Sequence, residues 1–536
     1  CVDDDETIYP GAVTEAEDDE CMIDADDDGY GDSSPDDIFD PGSDCDDDDA
    51  TINPEAVDSL WEDFNCDGVV NASLSLADYS FVGENSSDYS GYAVSSAGDV
   101  DGDGLDDLVV GAYLNDDAGS KSGKTYIVLA ASLDTTTEID LGDADYSFLG
   151  ENNHDQTGFS VASAGDVDGD GLGDLLVGAP YNDDGGTYSG KAYLILGGSL
   201  GGTSEIELSE ADYGFVGESR YDRAGWSIAS AGDVDGDGLD DVLVGAPYND
   251  DGVSEGGSAY LIFGASLGST AEVDLSLADY SFVGENSDDN AGTVVSSAGD
   301  VDGDGFDDIL VGAYRNDDAG GSAGKVYLIL AASLGATTEV DLEDADYSFV
   351  GENSSDNAGY SIASIGDVDG DGFSDILIGA PYNDDGGNLA GKANIILGAS
   401  LGDDAEIDLA DADYSFVGET GSDYAGWSVS AIGDVDGDGL DDVFIGAHGN
   451  DDAASKCGKA YLILAASLES MDSESDTGGS DSGGSDTGGS DTGASEDNSG
   501  STLHLSLADY AFVGESSSDY AGYSITNAGD VNGDGY

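Results

Sequence analysis

Positive charge is almost missing from this 536-residue chain: 10 Lys and Arg stand against 119 Asp and Glu, a formal charge of −109. A surface of that sign repels nucleic acid and anionic membranes, so neither is expected as a partner, whereas cations are. Histidine is limited to His154, His448 and His504, none with a cysteine or second histidine nearby, so zinc and triad chemistry have no support. No apolar run reaches the roughly 18 residues of a membrane helix. Only five cysteines occur, four of them before residue 67, which favours disulfides and an oxidising compartment. The chain starts at a cysteine and ends within a loop, so it reads as a fragment or processed piece whose signal peptide or anchor would lie outside it.

What the chain does have is aspartate and glycine in a strict pattern. GDVDGDGLDD begins at Gly98, and near-copies begin at Gly165, Gly232, Gly299, Gly366 and Gly433, each 67 residues after the last; a seventh, GDVNGDGY, begins at Gly529, 96 residues further on. Repeats of this length are stacked supersecondary units that do not fold singly. Within each copy, aspartates occupy loop positions 1, 3, 5 and 9, and the carbonyl of position 7 offers a further oxygen. Alternate oxygens on a tightly curled loop are the ligand chemistry of a hard dication, so each loop is a candidate calcium site. The expected ligands are Asp99, Asp101, Asp103, Leu105 and Asp107; Asp166, Asp168, Asp170, Leu172 and Asp174; Asp233, Asp235, Asp237, Leu239 and Asp241. The next three loops offer Asp300, Asp302, Asp304, Phe306 and Asp308; Asp367, Asp369, Asp371, Phe373 and Asp375; Asp434, Asp436, Asp438, Leu440 and Asp442. The last copy keeps Asp530, Asn532 and Asp534. An EF-hand would carry a glutamate at position 12 and flanking helices, but position 12 of the first copy is Val110 within LVVGAY, so strands flank this loop. About six to eight calcium ions would neutralise only a small part of the charge. The remainder reads as a solvated surface suited to salty, calcium-rich surroundings, or as plain solubility.

From residue 71 onward each repeat reads as four strands. In the second repeat, FSVASAGDV from Phe159 mixes apolar and small residues as an innermost strand requires; DLLVGAP from Asp174 and KAYLILG from Lys191 are continuous apolar runs buried on both faces; DYGFVGE from Asp212 alternates as a half-exposed outer strand. Four antiparallel strands per unit, repeated around a ring, form an all-β propeller. Outer-strand copies begin at Asp78, Asp145, Asp212, Asp279, Asp346, Asp413 and Asp509. That count predicts a seven-bladed β-propeller over 71–536 with a truncated seventh blade, closed by the first outer strand pairing into the last blade. Residues 469–501 hold the low-complexity Ser/Asp/Gly/Thr stretch, expected as a surface loop, with a linker to a second propeller as the alternative.

These repeats resemble the FG-GAP repeats of integrin alpha-subunit propellers. The GAP element stands at Gly178-Ala179-Pro180, Gly245-Ala246-Pro247 and Gly379-Ala380-Pro381, with Tyr113, Tyr314 and His448 in place of proline elsewhere; the FG element has drifted to pairs such as Thr157-Gly158 and Ala358-Gly359. The resemblance implies the propeller fold and calcium in the loops; integrin ligand specificity does not carry over. Residues 1–70 form a small Asp/Cys-rich segment, expected to be stapled by disulfides or metal. Its halves CVDDDETIYPGA and CDDDDATINPEA run parallel and suggest bridges Cys1 to Cys21 and Cys45 to Cys66, although four cysteines allow three pairings. DADDDGYGD adds a candidate calcium loop at Asp24, Asp26, Asp28, Tyr30 and Asp32. The segment resembles the metal-binding motif of MopE-type bacterial surface proteins, with a loop like those of thrombospondin type 3 repeats; without histidine and with Met22 alone, it offers little to copper.

Other motifs read as structure. Three GxSxG matches, at Gly197, Gly264 and Gly398, fall where a third strand ends and lead to another strand, so they are turns and not nucleophile elbows. GSKSGKT near Lys124 lacks the first glycine of a P-loop and lies where a strand begins, as do Lys191 and Lys325. Cys457 is expected as a lone surface thiol. Strand alternation puts two sets of loops opposite the calcium loops. One set carries Asn-Asp-Asp triplets from Asn115, Asn182, Asn249, Asn316, Asn383 and Asn450, as contact residues or as turn caps; the other carries Tyr89, Tyr221, Arg223, Tyr424 and Tyr520. The sequence thus predicts a calcium-binding, extracellular or cell-surface propeller, not itself an enzyme, that binds protein or glycan at the face opposite its calcium loops. The alternatives are the accessory propeller of a secreted enzyme, as FG-GAP repeats are in some phospholipases, and a structural surface protein.

Overall fold

A computed structural model of the chain describes residues 70–133, 137–402, 404–468 and 501–533. The four early cysteines, the loop at Asp24, Asp26, Asp28, Tyr30 and Asp32, residue Asp534 and nearly all of the low-complexity stretch lie outside these residues.

Six five-stranded sheets follow one another along the chain. The second is built from Ser160–Gly165, Asp174–Ala179, Lys191–Ile195 and Tyr213–Val216, antiparallel in chain order from the axis outward. Its second and third strands are buried at every residue. The reason is sheet-on-sheet packing: Leu175, Val177 and Tyr193 of this blade share one apolar cluster with Val109, Ile127 and Phe148 of the blade before it. Apolar side chains therefore leave both faces of these strands, which is why they read as continuous runs instead of alternating ones. Small residues such as Ala164, fully buried, let neighbouring inner strands converge.

The sheets hold one strand more than the four expected. Glu205–Glu207, Glu272–Asp274, Glu339–Asp341 and Glu406–Asp408 each lie between the third and fourth strands of their own repeat, yet pair in parallel with the fourth strand of the preceding blade. The outer strand of the repeat is therefore covered, and the true edge is a three-residue strand with exposed acidic ends, poorly suited to recruiting another chain.

The expectation of seven blades is corrected to six. Six copies of the second and third strands exist in the sequence, and residues 521–533 supply only an inner segment and its loop. Tyr523 lies between Tyr92 and Trp427, with ring centroids at 5.6 and 5.5 Å, and Asp106 N–H donates to the Asp530 carbonyl at 3.1 Å, so this segment bridges the sixth blade and the first without a sheet of its own. Closure also differs from expectation. Val70–Ser73 pairs in parallel with Tyr510–Val513 of the last blade, whereas the first outer-strand copy, Ser80–Val82, pairs only with Glu138–Asp140 in a two-stranded sheet. The stapled segment of the predicted fold, with Cys1, Cys21, Cys45 and Cys66, lies outside the described residues; among the described residues no disulfide occurs, and their one cysteine, Cys457, is free. Nor is Cys457 a surface thiol. It is fully buried beside the Asn450 carbonyl, in the place that Ser122, Ser189, Ala323 and Ala390 fill elsewhere, where only a small side chain fits.

Candidate functional site

Each Asp-rich loop joins an inner strand to a second strand, and its aspartates first organise the loop itself. In the first loop Asp99 accepts from the amides of Gly102 (2.7 Å), Asp103 (3.0 Å) and Gly104 (2.9 Å), Asp101 from Asp103 (3.1 Å) and Asp103 from Leu105 (2.9 Å). Gly102 and Gly104 have φ of +76° and +90°, the left-handed region in which glycine is unstrained. Asp107 is buried; its two carboxylate oxygens accept from Val100 N–H at 3.0 Å and Ala130 N–H at 2.8 Å, tying the loop to the end of the third strand. The same pair of bonds recurs at Asp174, Asp241, Asp308, Asp375 and Asp442.

The carboxylates converge. Oxygens of Asp99, Asp101 and Asp107 lie within 4.8 Å of one another, as do those of Asp166, Asp168 and Asp174, of Asp233, Asp235 and Asp241, of Asp300, Asp302 and Asp304, and of Asp367, Asp369 and Asp371. Burial pushes the position-9 carboxyl up to about 7 in Asp174, Asp241, Asp308 and Asp375 and up to about 6 in Asp107 and Asp442, against the lowering effect of its two amide donors and with the neighbouring aspartates adding to the rise. Burial and neighbouring charge also raise Asp101, Asp168, Asp235, Asp302 and Asp369. An all-oxygen, charge-stressed donor set of this kind fits a hard divalent cation.

A residue that sequence reasoning passed over links the loops. Position 8 is aspartate in four of the six full loops, and its carboxylate reaches the preceding loop around the ring. Asp240 accepts from Asp166 N–H at 2.7 Å, Asp307 from Asp233 at 2.9 Å, Asp441 from Asp367 at 3.1 Å and Asp106 from Asp530 at 2.9 Å. Gly165 must be glycine for this: a Cβ there would lie 2.1 Å from an Asp240 oxygen. The partners are 74 residues apart in most cases, so only the repeat period could have pointed to them.

The opposite face is built differently. All six triplet asparagines are buried, at most 1% exposed, so they are scaffold and not contact residues. Asn182 donates to Asp155 at 3.0 Å and accepts from Asp184 N–H at 2.9 Å. The third triplet residue pairs with a lysine: Lys191 Nζ lies 2.9 Å from Asp184 and 3.0 Å from Glu151, and Lys124, Lys325, Lys392 and Lys459 repeat this. Five of the ten basic residues are thus buried strand residues. The other five, Lys121, Arg220, Arg223, Arg315 and Lys456, all sit on loops of this face.

Aromatic rings line the same face. Tyr92, near the start of the first inner strand, and Phe159, Trp226, Tyr360, Trp427 and Tyr523, each just before an inner strand or its equivalent, form a chain of contacts: Trp226 to Phe159 at 4.7 Å, Phe159 to Tyr92 at 5.2 Å, Tyr92 to Tyr523, Tyr523 to Trp427, and Trp427 to Tyr360 at 4.6 Å. Thr293 stands in the remaining place. Arg223 lies over Tyr181, Trp226 and Tyr248, at 5.0, 5.5 and 4.3 Å, and Tyr424 stacks on His448 at 5.2 Å. Tyr89 and Tyr221 are more than half exposed. Every non-glycine residue of positive φ among the described residues, Tyr89, Tyr221, Arg223, Tyr424 and Tyr520 included, belongs to loops of this face and none to an Asp-rich loop. Such backbone persists only where the surroundings hold it, so these loops present their side chains in fixed positions. The GxSxG segments are 3-10 turns whose serines, Ser199, Ser266 and Ser400, donate to Asp212, Asp279 and Asp413.

Comparison with known proteins agrees with the sequence resemblance. The FG-GAP repeat matches residues 90–128, 157–195, 224–262, 291–329, 358–393 and 425–462, one segment per blade. Integrin alpha pat-2 of Caenorhabditis briggsae is 30% identical over 245 residues, 43% of this chain and 18% of that protein. Integrin alpha-PS2 of Drosophila melanogaster is 30% identical over 239 residues, 44% of this chain and 16% of that protein. Phosphatidylinositol-glycan-specific phospholipase D of Dictyostelium discoideum is 27% identical over 293 residues, 51% of this chain and 30% of that protein. The chain therefore spans less than a third of the length of these relatives. It carries six FG-GAP repeats in a six-bladed β-propeller, and no helix among the described residues is long and apolar enough to cross a membrane.

Proposed function

We propose that this chain is an extracellular adhesion or interaction module: a propeller held by calcium on one face that binds a protein or glycan with the other. The observation that carries the reading is the segregation of chemistry between the faces. One face gathers carboxylates into repeated clusters; the other gathers the aromatic arc and all five basic residues not built into strands. Half-buried aromatics on rigid loops are what recognition surfaces use, since they bury area at little entropic cost. Likeness to integrin alpha subunits supports the adhesive role. Trp226→Ala and Trp427→Ala together should abolish retention on a glycan or surface-protein array while leaving the thermal midpoint within a few degrees. Undiminished retention of the double variant would overturn the assignment of this face.

Calcium in the loops has its own test. A site present only in the folded state adds about 2.7 kcal/mol at a hundredfold excess of ion over its dissociation constant, so chelation should lower the thermal midpoint strongly. A midpoint indifferent to chelator would remove calcium from the reading. The phospholipase D relative supports a second role, as accessory propeller of a secreted enzyme, which a catalytic domain in the same open reading frame would favour.

A further inference from the structure

Neighbouring Asp-rich loops are joined at two points where position 8 is aspartate and at one point where it is not. Asp240 N–H donates to the Asp166 carbonyl at 3.2 Å while the Asp240 carboxylate accepts from Asp166 N–H, so the third loop grips the first residue of the second. Asp307 holds Asp233 in the same two ways, and Asp441 holds Asp367. Gly173 and Ser374 keep only the backbone bond, from their N–H groups to the carbonyls of Asp99 and Asp300 at 2.8 and 2.9 Å. The second, third and fourth loops are therefore linked in series and the fifth is linked to the sixth. Breaks fall between the first and second loops, at Gly173, and between the fourth and fifth, at Ser374.

Each link is anchored in candidate ligands at both ends. Asp240 stands between Leu239 and Asp241, the position-7 carbonyl and position-9 carboxylate of the third loop. Asp166, at the other end, is the position-1 ligand of the second loop and accepts the amides of Gly169, Asp170 and Gly171 at 2.8, 3.0 and 2.9 Å, which give that loop its curl. An ion that fixes positions 7 and 9 of one loop thus fixes the carboxylate between them, and with it the backbone from which the first ligand of the preceding loop projects. Burial raises the Asp240 carboxyl, against the lowering effect of the Asp166 amide and with the charges of Asp307, Asp166 and Asp233 adding to the rise, so the ligands of both loops are felt at this one group.

We propose that the position-8 aspartates are positioning residues that make calcium binding cooperative among the second to fourth loops and between the fifth and sixth, and independent across Gly173 and Ser374. The inference rests on calcium occupying the loops. Ordering one loop prepays part of the ordering of its linked neighbour, and the coupling is reciprocal. The carboxylate also brings negative charge to the junction, where two neighbouring dications repel. Gly165, Gly232 and Gly366 leave the room that the linking carboxylates of Asp240, Asp307 and Asp441 occupy, and Gly299 keeps that glycine before the fourth loop, so the break at Ser374 is the matter of one side chain.

The test is the rise in thermal midpoint of the full chain between chelator and a fixed calcium concentration, with one position-3 ligand removed per loop. Asp168→Asn and Asp235→Asn, in linked loops, should together reduce the rise by less than the sum of their separate reductions, because the loss of one ion already weakens its neighbour. Asp302→Asn and Asp369→Asn, on either side of Ser374, should reduce it by the sum. The coupling sought is about fivefold or more in the neighbour's affinity for the ion. Ser374→Asp should make the second pair less than additive, and Asp240→Ser should make the first pair additive; either carries the comparison if the other does not fold. In chelator, hydrogen exchange at Asp166 N–H should quicken in Asp240→Ser, a readout of the link that needs no ion. Additive losses in the first pair, a second pair that is less than additive before Ser374 is changed, or unaltered exchange at Asp166 overturns the coupling alone. A wild-type midpoint indifferent to calcium overturns the calcium reading and the coupling with it.

Discussion

Aspartates that look alike in the repeat do different work. Asp174 accepts two buried amides, while Asp168 is exposed and accepts only Asp170 N–H at 3.1 Å within its loop. Leaving a buried donor without its acceptor costs about 1 to 3 kcal/mol. Asp174→Asn should therefore lose about that much stability in chelator, whereas Asp168→Asn should lose under about 1 kcal/mol there and reveal its defect only as a weaker response to calcium. Urea denaturation with and without calcium separates the two; equal losses in chelator would mean that position 9 has no scaffold role. His448 supplies a pH test on the other face. Burial, with Lys456 adding to it, holds its pKa down to about 4, below the ordinary value near 6.5. A folded pKa below the unfolded one means that the neutral ring's contribution is complete above about 6.5 and is lost as pH falls through about 4. His448→Tyr places there the residue type of Tyr113 and Tyr314 and should remove this slope. The stability difference between wild type and variant should be constant above about pH 7 and should shift against the wild type toward pH 4; parallel profiles would show that the imidazole titrates unperturbed.

At the scale of elements, the sequence showed the inner, second, third and fourth strands because each carries a run long enough to express its environment. The edge strands escaped notice because three residues such as Glu205–Glu207 set no period, and their partner lies in the preceding blade. The blade count erred for a related reason: outer-strand and loop copies number seven, but a blade exists only where second and third strands follow, and these number six. The Asp-rich loops were legible from spacing alone, since their hydrogen bonds are local. The lysines were not, because their partners Glu84, Glu151, Glu285, Glu352 and Glu419 stand 40 residues earlier and meet them only in the folded sheet. That pairing is testable. Lys325→Met keeps the apolar stem and leaves Glu285 and Asp318 facing each other without a cation. Removing one partner of a fully buried pair costs about 3 to 5 kcal/mol. Because the Asp318 side chain is 40% exposed, solvent screening reduces the expected loss to about 1 to 3 kcal/mol, read from the urea midpoint. A loss near zero would make these lysines fillers of space rather than counter-ions.

For the whole molecule, closure matters more than any single blade, because an outer strand left uncovered is an edge that can recruit another chain. The last blade obtains its edge from the other end of the described chain: Val70, Asn71, Ala72 and Ser73 pair in parallel with Tyr510, Ala511, Phe512 and Val513. In the other blades the covering strand comes from the following repeat, where it is tethered on both sides by its own blade's third and fourth strands. At the seam it leads, through residues 74–79, into the two-stranded pair of Ser80–Val82 with Glu138–Asp140, a sheet separate from those of the six blades. The seam is therefore where the ring should open first. Deleting residues 1–75 removes the covering strand, together with the loop at Asp24, and leaves the Asp-rich loops of the blades, the lysine pairs and the aromatic arc in the sequence. The shortened chain should keep its calcium response and most of its far-ultraviolet spectrum but expose Tyr510–Val513 as a free edge. It should self-associate in a concentration-dependent way by analytical ultracentrifugation, despite a charge that otherwise keeps copies apart, and more so at high salt, where that repulsion is screened. A deletion variant that stays monomeric in high salt, with an unchanged midpoint, would show that the inner contacts of Tyr523 and Asp530 hold the ring closed without the strand.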